Sequence, residues 1–156
     1  MRILVSDPLS EEGIKISNFS SKGKIVLIDF WTYTCINCIR TLPYLVEWDR
    51  KYKDKGLVII GVHTPEFEFE KEYENVKMAM EKYGIKYRVV QDNNYATWRA
   101  FKNSYWPRKY LLDSDGFIRY DHIGEGAYEE TELFIQELLR EAGQNIQDAE
   151  TSKLEE

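Results

Sequence analysis

The chain is 156 residues long, 43% hydrophobic, and carries 27 acidic against 21 basic side chains, for a net charge of −6. That length fits one domain able to bury a continuous core without disulfide or metal staples. The acidic balance is spread along the chain and excludes phosphate-backbone binding as the main task, so no nucleic-acid partner is expected.

The opening segment "MRILVSDPLSEEG" has a single arginine and a short apolar patch. It lacks the apolar core of about 7 to 15 residues that a secretory leader needs. The longest apolar runs, "IVLI" and "LVIIGV", are strand-sized, far below the roughly 20 residues that cross a bilayer. Taken as written, the chain is expected to be cytoplasmic, monomeric and without a membrane span. It is expected outside the cytoplasm if residue 1 is not the native start.

Lys24–Phe30, "KIVLIDF", is β-branched and apolar behind the turn-like "SSKG", which predicts a buried central strand. The only two cysteines, Cys35 and Cys38, follow its carboxyl end. From Cys35 onward, apolar residues at Ile39, Leu42, Leu45, Val46 and Trp48, a lysine-rich end and Gly56 predict a helix and its stop. Pro43 is expected to kink it, because proline removes a backbone hydrogen bond. Leu57–His63 reads as a second buried strand, and Phe69–Gly84 as a helix with Val76, Ala79, Met80 and Tyr83 on one face. Strand, helix, strand implies parallel pairing with a right-handed crossover.

Lys86–Asp92 predicts a third strand, Tyr95–Lys102 a short helix, and Lys109–Ile123 an antiparallel hairpin around "DSDG". Tyr128–Gly143 closes the fold as a helix, and the polar remainder "QNIQDAETSKLEE" is expected to fray. The expected layout is one α/β domain over residues 1–143 with a disordered tail over 144–156, free of repeats, low-complexity tracts and linkers.

A C-x-x-C pair admits three readings. A structural disulfide gains little, since so small a loop hardly restricts the unfolded chain. Structural zinc wants four ligands, and the chain offers no second cysteine pair and only His63 and His122. A working dithiol fits the context. The free amides and dipole of a helix start stabilise a thiolate at Cys35, and Cys38, one turn further on the same side, can attack a mixed disulfide formed there. The plain alternative is two inert buried residues, against which stands the βαβ patterning beside the motif.

The run "LIDFWTYTCINCIRTLP" resembles the thioredoxin superfamily. The wider set "GKIVLIDFWTYTCINCIRTLPYL", "GLVIIGVHTPEFEFEK", "QDNNYATWRAF", "YWPRKYLLDSDGFIR" and "GEGAY" is similar to its TlpA-like branch. Within that branch it is most similar to the thioredoxin-like domains of DipZ proteins and of NHL-repeat-containing proteins, over roughly Ser20 to Gly143. The resemblance implies a thioredoxin-like fold, a mixed β-sheet flanked by helices with an extra helix-strand insertion. It implies a thiol-disulfide oxidoreductase acting on protein thiols and disulfides and on an upstream electron donor or acceptor. No cofactor beyond the redox-active Cys35–Cys38 pair, and no metal, is implied.

Residue by residue, the resemblance makes Cys35 the nucleophile, Cys38 the resolving cysteine and Asp29 the buried acid that moves the resolving thiol's proton. A carboxylate between Ile28 and Phe30 has its pKa raised by desolvation, which suits a base near neutrality. Pro107 matches a cis-proline loop that lies against the dithiol and offers a backbone edge to substrate, and Glu66 matches an active-site glutamate. Trp31, Tyr33 and Trp106 flank the site and are expected to form an apolar rim that receives a partner. His63 ends the second strand and reads as a packed or solvent-facing residue. Related sequences carry proline where this chain has Arg88.

Three competing readings stand beside this one. A thiol peroxidase is suggested by Thr32, three residues ahead of Cys35, although the proline that such sites place before the threonine is absent. A copper-handling module would use Cys35, Cys38 and a histidine, although those proteins resemble C-x-x-x-C. A non-catalytic interaction domain would keep the fold and tolerate loss of both thiols. The Ile36-Asn37 insert matches no familiar pair, which leaves the direction of exchange open.

Overall fold

The structure is a computed structural model that describes residues 9–10, 23–147 and 151–154. In chain order the elements are β1 (Leu9–Ser10), β2 (Ile25–Trp31), α1 (Ile36–Tyr52), β3 (Leu57–His63), α2 (Tyr73–Tyr83), β4 (Arg88–Gln91), α3 (Ala96–Ala100), β5 (Arg108–Leu112), β6 (Ile118–Ile123) and α4 (Tyr128–Glu141). The strands form one mixed sheet in the order β1-β4-β3-β2-β5-β6. β2, β3 and β4 run parallel, while β5 is antiparallel to both β2 and β6. α2 and β4 are the expected helix-strand insertion. Leu9–Ser10 adds a short parallel strand to β4, and the rest of the N-terminal segment weighed as a leader lies outside the described residues.

β2 has hydrogen-bonded neighbours on both edges and packing on both faces, so all seven of its residues are buried. Side chains alternate along a strand. Ile25, Leu27 and Trp31 join a core with Leu42, Leu45 and Trp48 of α1, Val76 of α2 and Ile135 of α4. Val26, Ile28 and Phe30 join the opposite core, where Trp98, Phe101 and Tyr110 set their rings edge-on to Phe30 at 5.5 to 5.8 Å. By the same alternation Asp29 falls on the α1 face, beneath the cysteines.

Two local features depart from the sequence reading, the helix expected from Phe69 and the frayed tail. α1 carries Pro43 inside it as one helix. It gives way to a 3-10 turn at Lys53–Lys55 and to Gly56 at φ 104°, where a Cβ would lie 2.3 Å from the Gly23 carbonyl oxygen. The helix expected from Phe69 is two pieces, a 3-10 turn over Glu68–Lys71 and α2 from Tyr73, with Glu72 extended between them. The break accompanies the Glu70 side chain turning inward, where it is fully buried. In the tail, Ile146 is 8% exposed, the Gln144 amide donates to the Gly23 carbonyl at 2.7 Å, and the Ser152 N–H donates to Glu132 at 2.6 Å. Those residues are docked rather than frayed, because the tail carries an apolar anchor and polar contacts to the body of the fold. Residues 148–150 and 155–156 of the tail lie outside the described residues.

Arg88, in the usual proline position, opens β4 opposite Ile60 and leaves the β3–β4 register intact.

Candidate active site

Cys35 caps the N-terminus of α1 in an extended conformation, and its sulfur accepts the Cys38 N–H at 3.3 Å. The unpaired amides of a helix start favour an anion there. Cys35 is partly exposed, Cys38 is fully buried, and both are free thiols. The Cys38 thiol donating to Cys35 leads the forces that bring Cys35 down to about 6. Burial resists that shift, the Cys38 and Asn37 amides add to it, and the Glu66 charge opposes it. Cys38 moves the other way, pushed up by burial, by its hydrogen bond to Cys35 and by the charge of Asp29. One thiol is thus ready to attack, and the other holds its proton until a base removes it.

That base has a place in the fold. Asp29 is 0% exposed, and neither carboxylate oxygen has a hydrogen-bond partner among the described residues. Burial raises its pKa to about 7, against the pull of Lys109. Lys109 stands directly opposite Asp29 in the β2–β5 register, is 1% exposed, and has no hydrogen-bond partner for its ammonium among the described residues. Desolvation lowers its pKa, with Asp29 and Cys38 acting in the other direction. A cross-strand lysine is a residue that the sequence reading missed, since nothing in the chain's linear order pairs it with Asp29.

On the other edge of Asp29 lies Gly61 of β3. A Cβ there would meet the Trp31 indole nitrogen at 3.0 Å and the Tyr87 ring at 3.3 Å, so the missing side chain makes room for both. Trp31 therefore points into the core at 0% exposure, edge-on to His63 at 5.0 Å, and cannot belong to the rim expected for it. Its alternation with Ile25 and Leu27 along β2 decides the matter. Tyr33 and Trp106 do reach the surface in part. The Trp106–Pro107 peptide bond is cis, and the Trp106 indole donates to the Thr64 carbonyl at 2.9 Å.

Two of the carboxylates in the loop after β3 take different positions. Glu66 is exposed, and its charge acts on Cys35. Glu70 is buried, and its carboxylate accepts the hydroxyls of Thr32 and Thr34 and the Glu66 N–H. It ties this loop to the one that delivers Cys35. Among the acids of "PEFEFEKE" the sequence offered no signal for which one turns inward. With its proton given to Glu70 and no exposed surface, the Thr32 hydroxyl is not available to a peroxide. His63 is fully buried and kept neutral by desolvation, its pKa lowered to about 4 despite the Glu70 charge. Its Nε2 accepts the Tyr33 N–H at 3.4 Å, so it packs the loop. Among the described residues no three His, Cys, Asp or Glu side chains converge as a metal site would require.

Comparison with known proteins agrees with this geometry. Residues 23–118 match the family model described as Thioredoxin-like. The chain is 51% identical over 123 residues to Protein DipZ of Mycobacterium tuberculosis, covering 79% of this chain and 18% of that protein. It is 32% identical over 127 residues to Thiol-disulfide oxidoreductase ResA of Bacillus cereus, covering 81% of this chain and 70% of that one. A solved thioredoxin-like protein in its oxidized form superposes with a TM-score of 0.74 at 26% identity, covering 84% and 87% of the two chains. The chain thus spans less than a fifth of the DipZ length it matches.

Proposed function

The chain belongs to the thioredoxin-like family, and from that premise we propose that it is a thiol-disulfide oxidoreductase exchanging disulfides with protein substrates through Cys35 and Cys38. The observation that carries the reading is the split between the two thiols. Cys35 is lowered to about 6 at the start of α1, and Cys38, buried behind it, is raised.

At neutral pH Cys35 is mostly thiolate. It attacks one sulfur of a substrate disulfide, forming a Cys35 mixed disulfide and releasing the other substrate sulfur as thiolate. Asp29, ionised above about pH 7, takes the Cys38 proton. The Cys38 thiolate then attacks the Cys35 sulfur, closing the Cys35–Cys38 disulfide and expelling the second substrate thiolate. Two electrons pass from the protein dithiol to the substrate disulfide. The same steps run backwards oxidise a substrate dithiol, and an external dithiol donor or disulfide acceptor completes the cycle. Pro107, Trp106 and Tyr33 would contribute to the face that receives the substrate backbone, and Glu66 would hold back the thiolate character of Cys35.

Insulin reduction and a redox equilibrium with glutathione test the proposal. Cys35→Ser is expected to abolish both, and full activity in that variant would sink it. Among the described residues no helix is long and apolar enough to cross a membrane. We place the dithiol in a reducing cytoplasm, acting as a monomer. Proteins trapped in cells on Cys38→Ser, which cannot resolve its mixed disulfides, test the setting, and a set of exported partners would overturn it.

A further inference from the structure

The loop over residues 64–71 is held at five points and yet turns two large apolar side chains outward. The Thr64 carbonyl accepts from the Trp106 indole, and the Pro65 carbonyl from the Tyr95 hydroxyl. The Glu66 N–H and the Glu70 carboxylate are joined to each other, with Glu70 also holding Thr32 and Thr34. The Phe69 carbonyl accepts from Asn75 at 3.1 Å and from the Tyr33 hydroxyl at 3.4 Å. On this fixed backbone Phe67 and Phe69 are 49% and 54% exposed and stack on each other, 5.7 Å apart and within 7° of parallel. Tyr33, two residues before Cys35, continues the aromatic surface at 6.5 Å from Phe69.

Single exposed apolar residues need no explanation, but a tied-down aromatic ridge that reaches Tyr33, two residues before a reactive thiol, does. Rigid aromatics lose little conformational entropy on contact, which favours their use in recognition. The ridge lies among exposed Glu66, Glu68 and Glu72. Lys71 reaches Glu68 at 3.0 Å and offsets part of that charge. On the other flank of the cysteines, Arg40 of α1 pairs with Glu125 at 3.8 Å.

Resting on the oxidoreductase reading, we propose that this ridge selects the substrate. It fits an extended polypeptide segment whose disulfide is flanked by an apolar residue and a lysine or arginine. The apolar side chain covers Phe67 and Phe69 while its sulfur meets Cys35, and the cationic neighbour faces the glutamates. The acidic surface disfavours anionic disulfides.

The test uses the Cys38→Ser chain and follows mixed-disulfide formation with three probes. Two are cystine peptides of equal length, one with Lys and Leu beside the disulfide and one with Glu and Ser, and the third is neutral hydroxyethyl disulfide. The Lys-Leu peptide is expected to react about 10-fold faster than the Glu-Ser peptide at low salt, with the gap narrowing as salt screens the glutamates. Replacing Phe67 and Phe69 together by Ser is expected to slow the Lys-Leu peptide about 10-fold, the loss of one contact worth about 1.4 kcal/mol. It leaves hydroxyethyl disulfide unchanged. Equal rates for the two peptides would overturn the inference, and that comparison needs no surface variant, so it holds even if the double variant fails to fold. A chain that forms no mixed disulfide with hydroxyethyl disulfide fails the oxidoreductase reading itself, which is a separate result.

Discussion

Two fully buried carboxylates sit on α1's two sides and end in opposite states. Glu132 of α4, 1% exposed, receives the Trp48 indole at 3.0 Å, the Lys51 ammonium, the Tyr52 hydroxyl and the Ser152 amide. Burial works against its charge, but Lys51, the Ser152 amide and Tyr52 win, and its pKa is lowered. Asp29 of β2 is as little exposed but lies deeper, has no hydrogen-bond donor among the described residues, and rises to about 7. Burial opposes both charges, more strongly at Asp29, and only Glu132 has donors that outweigh it. Four donors make a clamp between α1, α4 and the tail; none makes a group that can exchange a proton near neutrality.

The clamp is where the largest effect is expected. Glu132→Ala takes the acceptor from the Trp48 indole, the Tyr52 hydroxyl and the Ser152 amide, while Lys51 keeps the Ser152 hydroxyl, and should cost about 3 kcal/mol or more in urea unfolding. Exchange activity below the transition should stay near that of the unchanged chain. A loss under about 1 kcal/mol would mean that the two carboxylates differ less than their contacts imply.

Asp29→Asn should act in the opposite sense. The folded pKa, about 7, lies above the usual 3.8. The folded state therefore binds the proton more tightly, and stability falls as pH rises from 3.8 to 7, with the whole penalty present above 7. Removing the charge should stabilise the fold at pH 8 by about 2 kcal/mol, less than the full linkage value because Lys109 loses its counter-charge. The gain should vanish below about pH 4, where both chains are neutral at this position. Resolution of a Cys35 mixed disulfide should slow about 10-fold or more, within the range of general-base contributions. A variant that is both no more stable at pH 8 and no slower to resolve would remove Asp29 from the proton path.

Lys109→Met sharpens the same contrast by taking away the cation that stands opposite Asp29. Its charge lowers the Asp29 pKa, so its loss should move the pH midpoint of the resolving step upward, by about one unit. An unchanged midpoint would assign Lys109 a packing role against Tyr128, whose ring lies 5.9 Å from its ammonium.

Cys35 and Cys38 were legible as a pair because one short segment sets both at a helix start, whereas Asp29 entered through resemblance, with only its burial readable from the apolar Ile28 and Phe30 beside it. Pro107 was legible through resemblance, and its bond is cis. Lys109 and Glu132 were not, because each acquires its partner through tertiary pairing between residues far apart in the chain. Trp31 was misplaced at the rim because its position beside the motif outweighed the alternation that puts it on the side of Ile25 and Leu27. The helix expected from Phe69 failed for a related reason. Its apolar spacing continues, but the Glu70 side chain turns inward and accepts the Thr32 and Thr34 hydroxyls.

The smallest effect concerns the exposed acid. Glu66 raises Cys35 through its charge, a smaller influence than the Cys38 contacts, burial and the Asn37 amide. Glu66→Gln should therefore lower the pH midpoint of Cys35 alkylation by about a few tenths of a unit at low salt, and by less at about 1 M salt, where the Debye length is about 3 Å. The sign follows from the thiolate: one fewer negative charge nearby favours the deprotonated form. A shift as large as the one expected from Lys109→Met would mean that Glu66 reaches the sulfur through a hydrogen bond. A shift that persists in high salt separates the same two cases, since a contact survives screening and a distant charge does not.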